Sequence, residues 1–322
     1  MSGEYAVGID LGATNVRVGI GDSKGRIPRK LSEKTDKQHG PKGIPLQIIR
    51  MIHHLIKDGE LKVRGIGVAS IGPLDLREGV IVNSPNIPFK HMPIIEPLRS
   101  EFNAPINFLN DCDAAVICER KFGAGRGIDN LVYITLSTGI GAGVYVDGCL
   151  LRGKDGNASE VGHLVIDFEG RLKCGCGKKG HWEAYCSARN IPQYVKMLLK
   201  ERSIEDNLLT RSTGGASPRI TAKKLYETAR SGDALSLEIV DSIGRLNAAG
   251  FGSVINAYDP SLITVGGALA LKNENLVMEP IKRYVHDYAV NRVPEITVTP
   301  LGENVVLLGA IAAVYMNDSE PK

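Results

Sequence analysis

The chain has 322 residues, 43% of them hydrophobic and 23% charged, and Lys+Arg 39 against Asp+Glu 36 leaves a formal net charge of +3. This is the composition of a folded globular protein with one large or two ordinary domains. The near-neutral charge gives no footprint for nucleic acid, and no 18-residue apolar run exists to span a membrane.

Residues 5–10 read as a strand rich in β-formers. Over 15–22, Val16, Val18 and Ile20 alternate with Arg17, Gly19 and Gly21, the period of a half-buried strand. Only residues 11–14 separate the two, so a hairpin is expected. Ile48, Ile49, Ile52, Leu55 and Ile56 fall at helical spacing over 45–57, and Asp58-Gly59 stops that helix. Residues 63–69 and 105–109 read as buried strands, the second ending on Asn110-Asp111. Asp111 or Asp113 is then placed to cap a helix over 114–122. A second glycine hairpin follows, with strands over 131–137 and 142–146 around Thr138-Gly-Ile-Gly141. Two such hairpins, each opening an α/β unit, hint at internal duplication. Beyond Gly180 the pattern is mainly helical, over 187–201, 221–232, 234–257 and 274–290. A loop at 211–218 interrupts it, as does a strand at 262–265 that ends in Gly266-Gly267. A last helix begins near Gly309.

Four constellations could carry chemistry. In Asp10-Leu-Gly12-Ala-Thr14-Asn15, a tight glycine turn lets backbone N–H groups approach a phosphate, and Asp10 could hold Mg²⁺. An ordinary hairpin turn is the alternative, and no Gly-Lys-Ser/Thr follows to make a P-loop. Ser137-Thr138-Gly139-Ile-Gly141-Ala-Gly143 repeats that chemistry, so two hairpins could clamp a polyphosphate. Gly266-Gly267 could lie against a nucleoside, or serve only close helix–strand packing. Asp111, at a strand's C-terminal end, is placed either to take a proton from a substrate hydroxyl or to cap a helix. Finally, His163, Cys174, Cys176 and His181 are four plausible zinc ligands within a short stretch. Two free thiols and two unrelated histidines are the alternative. With six cysteines, too few for a disulfide scaffold, and no signal peptide at Met-Ser-Gly-Glu, a reducing cytoplasm is the expected compartment.

Taken in order, these residues resemble the ROK family of sugar kinases and regulators, within the actin/hexokinase superfamily. Asp10-Leu-Gly-Ala-Thr-Asn15 and Thr138-Gly-Ile-Gly141 resemble its two phosphate motifs. Ser84-Pro-Asn-Ile-Pro88 resembles its sugar-side loop, and Asn110-Asp111 with Phe122-Gly-Ala-Gly-Arg-Gly127 its catalytic segment. Glu160-Val-Gly-His163 and Cys174-Gly-Cys-Gly-Lys-Lys-Gly-His-Trp-Glu183 resemble its signature.

The resemblance implies an α/β, two-domain, actin/hexokinase-like (ribonuclease H-like) fold with the active site in the interdomain cleft. Residues 1–111 plus 303–322 would form the small domain, and 112–302 the large one with the zinc loop and a homodimer interface. It implies an ATP-dependent hexose kinase with Asp111 as general base for the sugar 6-hydroxyl. Asn86, Asn110, Glu160, His163 and Glu183 would hold sugar hydroxyls. Gly12, Thr14, Asn15, Thr138, Gly139 and Gly141 would cradle ATP, Asp10 would position Mg²⁺, and Gly266 and Gly267 would flank the adenosine. Family members with zinc usually carry cysteine where this chain has His181, so a Cys₂His₂ zinc site and a metal-free loop both stay open. Glucose is the first expectation for the substrate. N-acetylmannosamine, N-acetylglucosamine, mannose and fructose stay open beside it. A sugar-responsive regulator is disfavoured, because the residues ahead of Asp10 leave no room for the DNA-binding domain such regulators add. Actin-like filaments and chaperone ATPases lack the Glu160/His163 and Cys174/Cys176 signature.

Overall fold

The computed structural model describes residues 4–56, 62–84, 87–204, 208–211 and 220–316. Among them no helix is long and apolar enough to cross a membrane.

The chain begins with β1 (Tyr5–Leu11), β2 (Asn15–Gly21), β3 (Arg29–Lys34), α1 (Gly43–Ile56) and β4 (Val63–Ser70). A small antiparallel sheet follows, made of β5 (Leu74–Asp75), β6 (Val80–Val82) and β7 (His91–Pro93). Then come α2 (Ile95–Glu101), β8 (Ile106–Asn110) and α3 (Asp111–Phe122). The first five-stranded sheet has the order β3-β2-β1-β4-β8. β1, β4 and β8 run parallel, β2 is antiparallel to β1, and β3 is antiparallel to β2. β1 and β4 are buried along nearly their whole length, as expected of parallel strands covered on both faces.

The second five-stranded sheet is built from β9 (Leu131–Leu136), β10 (Ile140–Val146), β11 (Cys149–Leu150), β12 (Leu262–Gly266) and β13 (Glu295–Val298). Its order, β11-β10-β9-β12-β13, repeats that of the first. Between β11 and β12 lie a 3₁₀ turn (Val161–His163), α4 (Glu183–Cys186), α5 (Ile191–Glu201), α6 (Leu208–Arg211), α7 (Ala222–Arg230) and the long α8 (Ala234–Tyr258). After β12 come α9 (Ala268–Lys272), α10 (Glu274–Tyr284) and α11 (Val305–Val314).

By its contacts the chain groups into two compact units. One comprises Met1–Tyr133, Gly143–Ser159 and Pro300–Lys322; the other comprises Ile134–Ala142 and Glu160–Thr299. α11 belongs to the first unit, where Leu307 and Ile311 pack with Ala6. Its sequence is apolar all round, which suits a helix buried on every side.

Several expected boundaries move. The helix expected from 114 begins at Asp111, and its cap is neither Asp111 nor Asp113 but Asn110, whose side chain accepts the Cys112 N–H at 2.8 Å. The helix expected over 187–201 starts at Ile191, with Pro192 in its first turn. The one expected over 274–290 ends at Tyr284 and tightens into a 3₁₀ turn over Val285–Asp287. The last helix starts at Val305, ahead of Gly309. The stop signal at Asp58-Gly59 lies outside the described residues, as does the loop expected at 211–218 beyond Arg211.

Candidate active site and metal centre

In the first unit the β1–β2 hairpin is pinned from two sides. Gly12 N–H donates to Asn15 O at 3.0 Å. Thr35 donates its N–H to Thr14 O at 3.0 Å and its hydroxyl to Gly12 O at 2.8 Å. Asp10 sits at the strand's end opposite Arg17, whose Nη1 donates to Asp10 Oδ2 at 3.2 Å and to Glu303 O at 3.1 Å. Burial pushes the Asp10 carboxyl above the usual carboxylate range, with the Arg17 charge opposing. Asn110 and Asp111 stand at the same end of the sheet. Leu11 pairs with Ser70, and Ser70 with Asn110. The hairpin and the start of α3 are therefore two strand spacings apart, roughly 10 Å. Asp111 is the first residue of α3, and its Oδ1 accepts the Cys112 N–H at 2.8 Å. Asn86 lies outside the described residues.

In the second unit the turn holding Thr138, Gly139 and Gly141 is gripped by the segment that carries the other expected site residues. Glu183 Oε2 accepts the Ile140 N–H at 2.9 Å. Ala188 N–H donates to Ser137 O at 2.9 Å. Glu160 and His163 flank the 3₁₀ turn, with His163 Nε2 at 3.7 Å from Glu160 Oε2. Gly162 between them rests on the hairpin, since a Cβ there would stand 2.2 Å from Ile140 O. Partial burial raises the Glu160 carboxyl above its usual range and the charge of Glu183 adds to this, while His163 opposes. Gly266 ends β12, and Gly267 turns the chain into α9 with φ +88°.

The four metal-ligand candidates converge. Ligand atoms of His163, Cys174, Cys176 and His181 all lie within 4.8 Å of one another. His163 Nδ1 is 3.1 Å from His181 Nδ1 and 3.8 Å from Cys174 Sγ, and Cys176 Sγ is 3.3 Å from His181 Nδ1. A tetrahedral zinc ion, with bonds of about 2.0–2.3 Å, needs ligand separations of roughly 3.3–3.8 Å. The donor types fit zinc, and the separations of 3.1, 3.3 and 3.8 Å lie in or close to that range. The loop closes as a knuckle: Cys174 N–H donates to Lys178 O at 2.8 Å, and Gly177 N–H to Cys174 O at 2.9 Å. Burial pushes the Cys174 thiol up to about 12. Burial, with the neighbouring His163, lowers the pKa of His181 and favours the neutral imidazole that a metal needs.

Two contributors escaped the reading of the sequence. In the sequence Arg17 is one of the residues that alternate with Val16 and Val18, although the hairpin register places it across from Asp10. Trp182 is fully buried, donates Nε1–H to Asn247 Oδ1 at 2.8 Å and meets Phe251 edge-on. It ties the knuckle to α8, and its position between His181 and Glu183 was the available signal.

Residues 6–316 match the model of the ROK family. The chain is 36% identical over 309 residues to a glucokinase of Pyrobaculum calidifontis, covering 96% of this chain and 94% of that one. It is 32% identical over 312 residues to a glucokinase of Thermotoga maritima, covering 96% of each. Among solved structures it is similar to a ROK hexokinase from Thermus thermophilus, with a TM-score of 0.81 at 29% identity over 98% of this chain and 100% of that one. It is also similar to a ROK glucokinase from Streptomyces griseus in complex with glucose and AMPPNP, with a TM-score of 0.79 at 29% identity over 96% and 98%. The chain belongs to the ROK family.

Proposed function

We propose that the protein is an ATP-dependent sugar kinase of the glucokinase type, which moves the γ-phosphoryl group of ATP onto the 6-hydroxyl of a hexose. The observation that carries this reading is the placement of Asp111 on the same sheet end as the Gly12–Asn15 hairpin, roughly 10 Å away. That is room for a base, a sugar hydroxyl and a terminal phosphate.

Phosphoryl transfer needs positioning and charge stabilisation more than covalent help. Asp111 takes the proton of the attacking hydroxyl. Thr14, Asn15, Thr138 and the backbone around Gly12, Gly139 and Gly141 hold the phosphates. Gly266 and Gly267 give the adenosine a wall without side chains. Mg²⁺, when bound with ATP, draws negative charge off the phosphates. Asp10 fits as its single protein carboxylate, since magnesium usually takes one or two carboxylates beside phosphates and water. Asn110, Glu160, His163 and Glu183 select the sugar, with Asn86 helping. Polar groups of this kind, once the sugar covers them, reject a wrong epimer because it leaves them unpaired.

Zinc, when bound, fixes the knuckle. His163 presents Nδ1 to His181 and Cys174, and Nε2 towards Glu160 at 3.7 Å. Ligation through Nδ1 would leave the proton on Nε2, on the side of Glu160, to be given to a sugar oxygen. We therefore expect about one zinc per chain by metal analysis, and chelation should lower both stability and sugar affinity. Fully active protein with substoichiometric zinc would remove the metal from this account. The same resemblance supports a cytoplasmic homodimer, with residues 1–111 plus 303–322 as one functional domain and 112–302 as the other.

The decisive test is ADP release with Mg-ATP over a panel of hexoses and N-acetylhexosamines. Glucose should give the highest kcat/KM. If no sugar gives turnover, the kinase reading fails.

A further inference from the structure

Glu183 stands at an unusual junction. Its Oε2 accepts the Ile140 N–H at 2.9 Å, and Ile140 belongs to the second glycine hairpin. The approach depends on Gly139: a Cβ there would stand 2.6 Å from the same carboxylate oxygen. The other oxygen, Oε1, is 3.7 Å from Cys174 Sγ in the knuckle. Glu183 opens α4, and the chain following that helix returns to the hairpin, where Arg189 N–H donates to Thr138 O at 3.4 Å. The carboxylate is therefore seated inside the turn whose backbone would face the phosphates.

We propose that Glu183 is a positioning residue for the nucleotide: by holding the Ile140 amide, its carboxylate fixes the Thr138–Gly141 turn in the shape that receives phosphate. This rests on the reading of that turn as a phosphate site and deepens it. It makes nucleotide binding, as well as sugar binding, depend on a side chain outside the phosphate motifs. The physical reason is preorganisation. A short turn built on Gly139 has many accessible conformations, and a charge-assisted hydrogen bond to the first amide of β10 removes some of them before the ligand arrives.

The test separates this role from sugar contact and from general stability. Dissociation constants for Mg-ADP are measured without sugar in wild type, Glu183→Ala and Glu183→Gln, with amide exchange of Ile140 and thermal midpoints recorded beside them. Losing one hydrogen bond to a charged group should weaken Mg-ADP about tenfold in the Ala variant and speed Ile140 exchange. The Gln side chain keeps an acceptor oxygen of the same reach, so it should restore both readouts to within about threefold of wild type. Equal Mg-ADP affinity in wild type and the Ala variant would overturn the proposal, as would a Gln variant as weak as Ala despite a wild-type thermal midpoint. A wild-type protein that binds no Mg-ADP at all would instead overturn the kinase reading on which the proposal rests.

Discussion

Asp111→Asn is expected to lower kcat by about 10²–10⁴-fold, the usual worth of a positioned general base, while sugar affinity stays within a few-fold of wild type. Asn is the informative replacement. Asp111 is the first residue of α3 and its Oδ1 accepts the Cys112 N–H, a hydrogen bond that an amide oxygen keeps. Asn110 remains as the helix cap in the variant. The fold should survive, and only the ability to take a proton is lost. Steady-state kinetics with glucose and Mg-ATP, set beside direct glucose titration, separate the two effects. Turnover near the wild-type rate would take Asp111 out of the reaction.

Trp182→Ala should cause the largest loss of stability at any single site of the knuckle, about 3–5 kcal/mol. The indole is fully buried, packs edge-on against Phe251 and satisfies Asn247, itself buried in α8. Truncation opens a cavity and orphans the Asn247 carboxamide at the same time. Trp182→Phe keeps most of the packing and should cost less, with the lost hydrogen bond contributing about 0.5–1.5 kcal/mol. Urea unfolding followed by far-UV circular dichroism reads both variants. Because His181 and Glu183 flank the indole, the Ala variant should also lose kcat/KM in excess of its unfolded fraction. An unchanged urea midpoint in Trp182→Ala would show that α8 does not anchor the knuckle.

The sequence revealed both glycine hairpins because each places a short turn between runs with strand periodicity. It did not reveal β3, Arg-Lys-Leu-Ser-Glu-Lys, in which Leu31 is the lone apolar residue. An edge strand tolerates charge on both faces, so the hydrophobic pattern is silent there. β13 is four residues long, too short for a period to register. The start of α3 was misplaced by three residues because Asn and Asp cap equally well, and Asn110, Asp111 and Asp113 compete for the role. The metal quartet was legible because its ligands fall in one short stretch, where composition alone makes a signal. The seat of Glu183 was not. Its partner is a backbone N–H, which every residue except proline carries, so no residue type marks it.

The two five-stranded sheets share one strand order, and this separates what the chain repeats from what it adds. In each copy the first two strands form the glycine hairpin and the fourth and fifth extend the sheet on the other side. The copies differ most in length in the link from third to fourth strand. In the first it takes residues 35–62, with α1 as the one helix among the described residues; in the second it takes residues 151–261, with the 3₁₀ turn, the knuckle and α4 to α8. Glu160, His163, Glu183 and all four metal-ligand candidates therefore sit within a single expanded crossover. On the proposed reading, the two hairpins that the sheets share handle phosphate, while Glu160, His163 and Glu183 come from a connection enlarged in one sheet and join Asn86 and Asn110 of the other at the sugar.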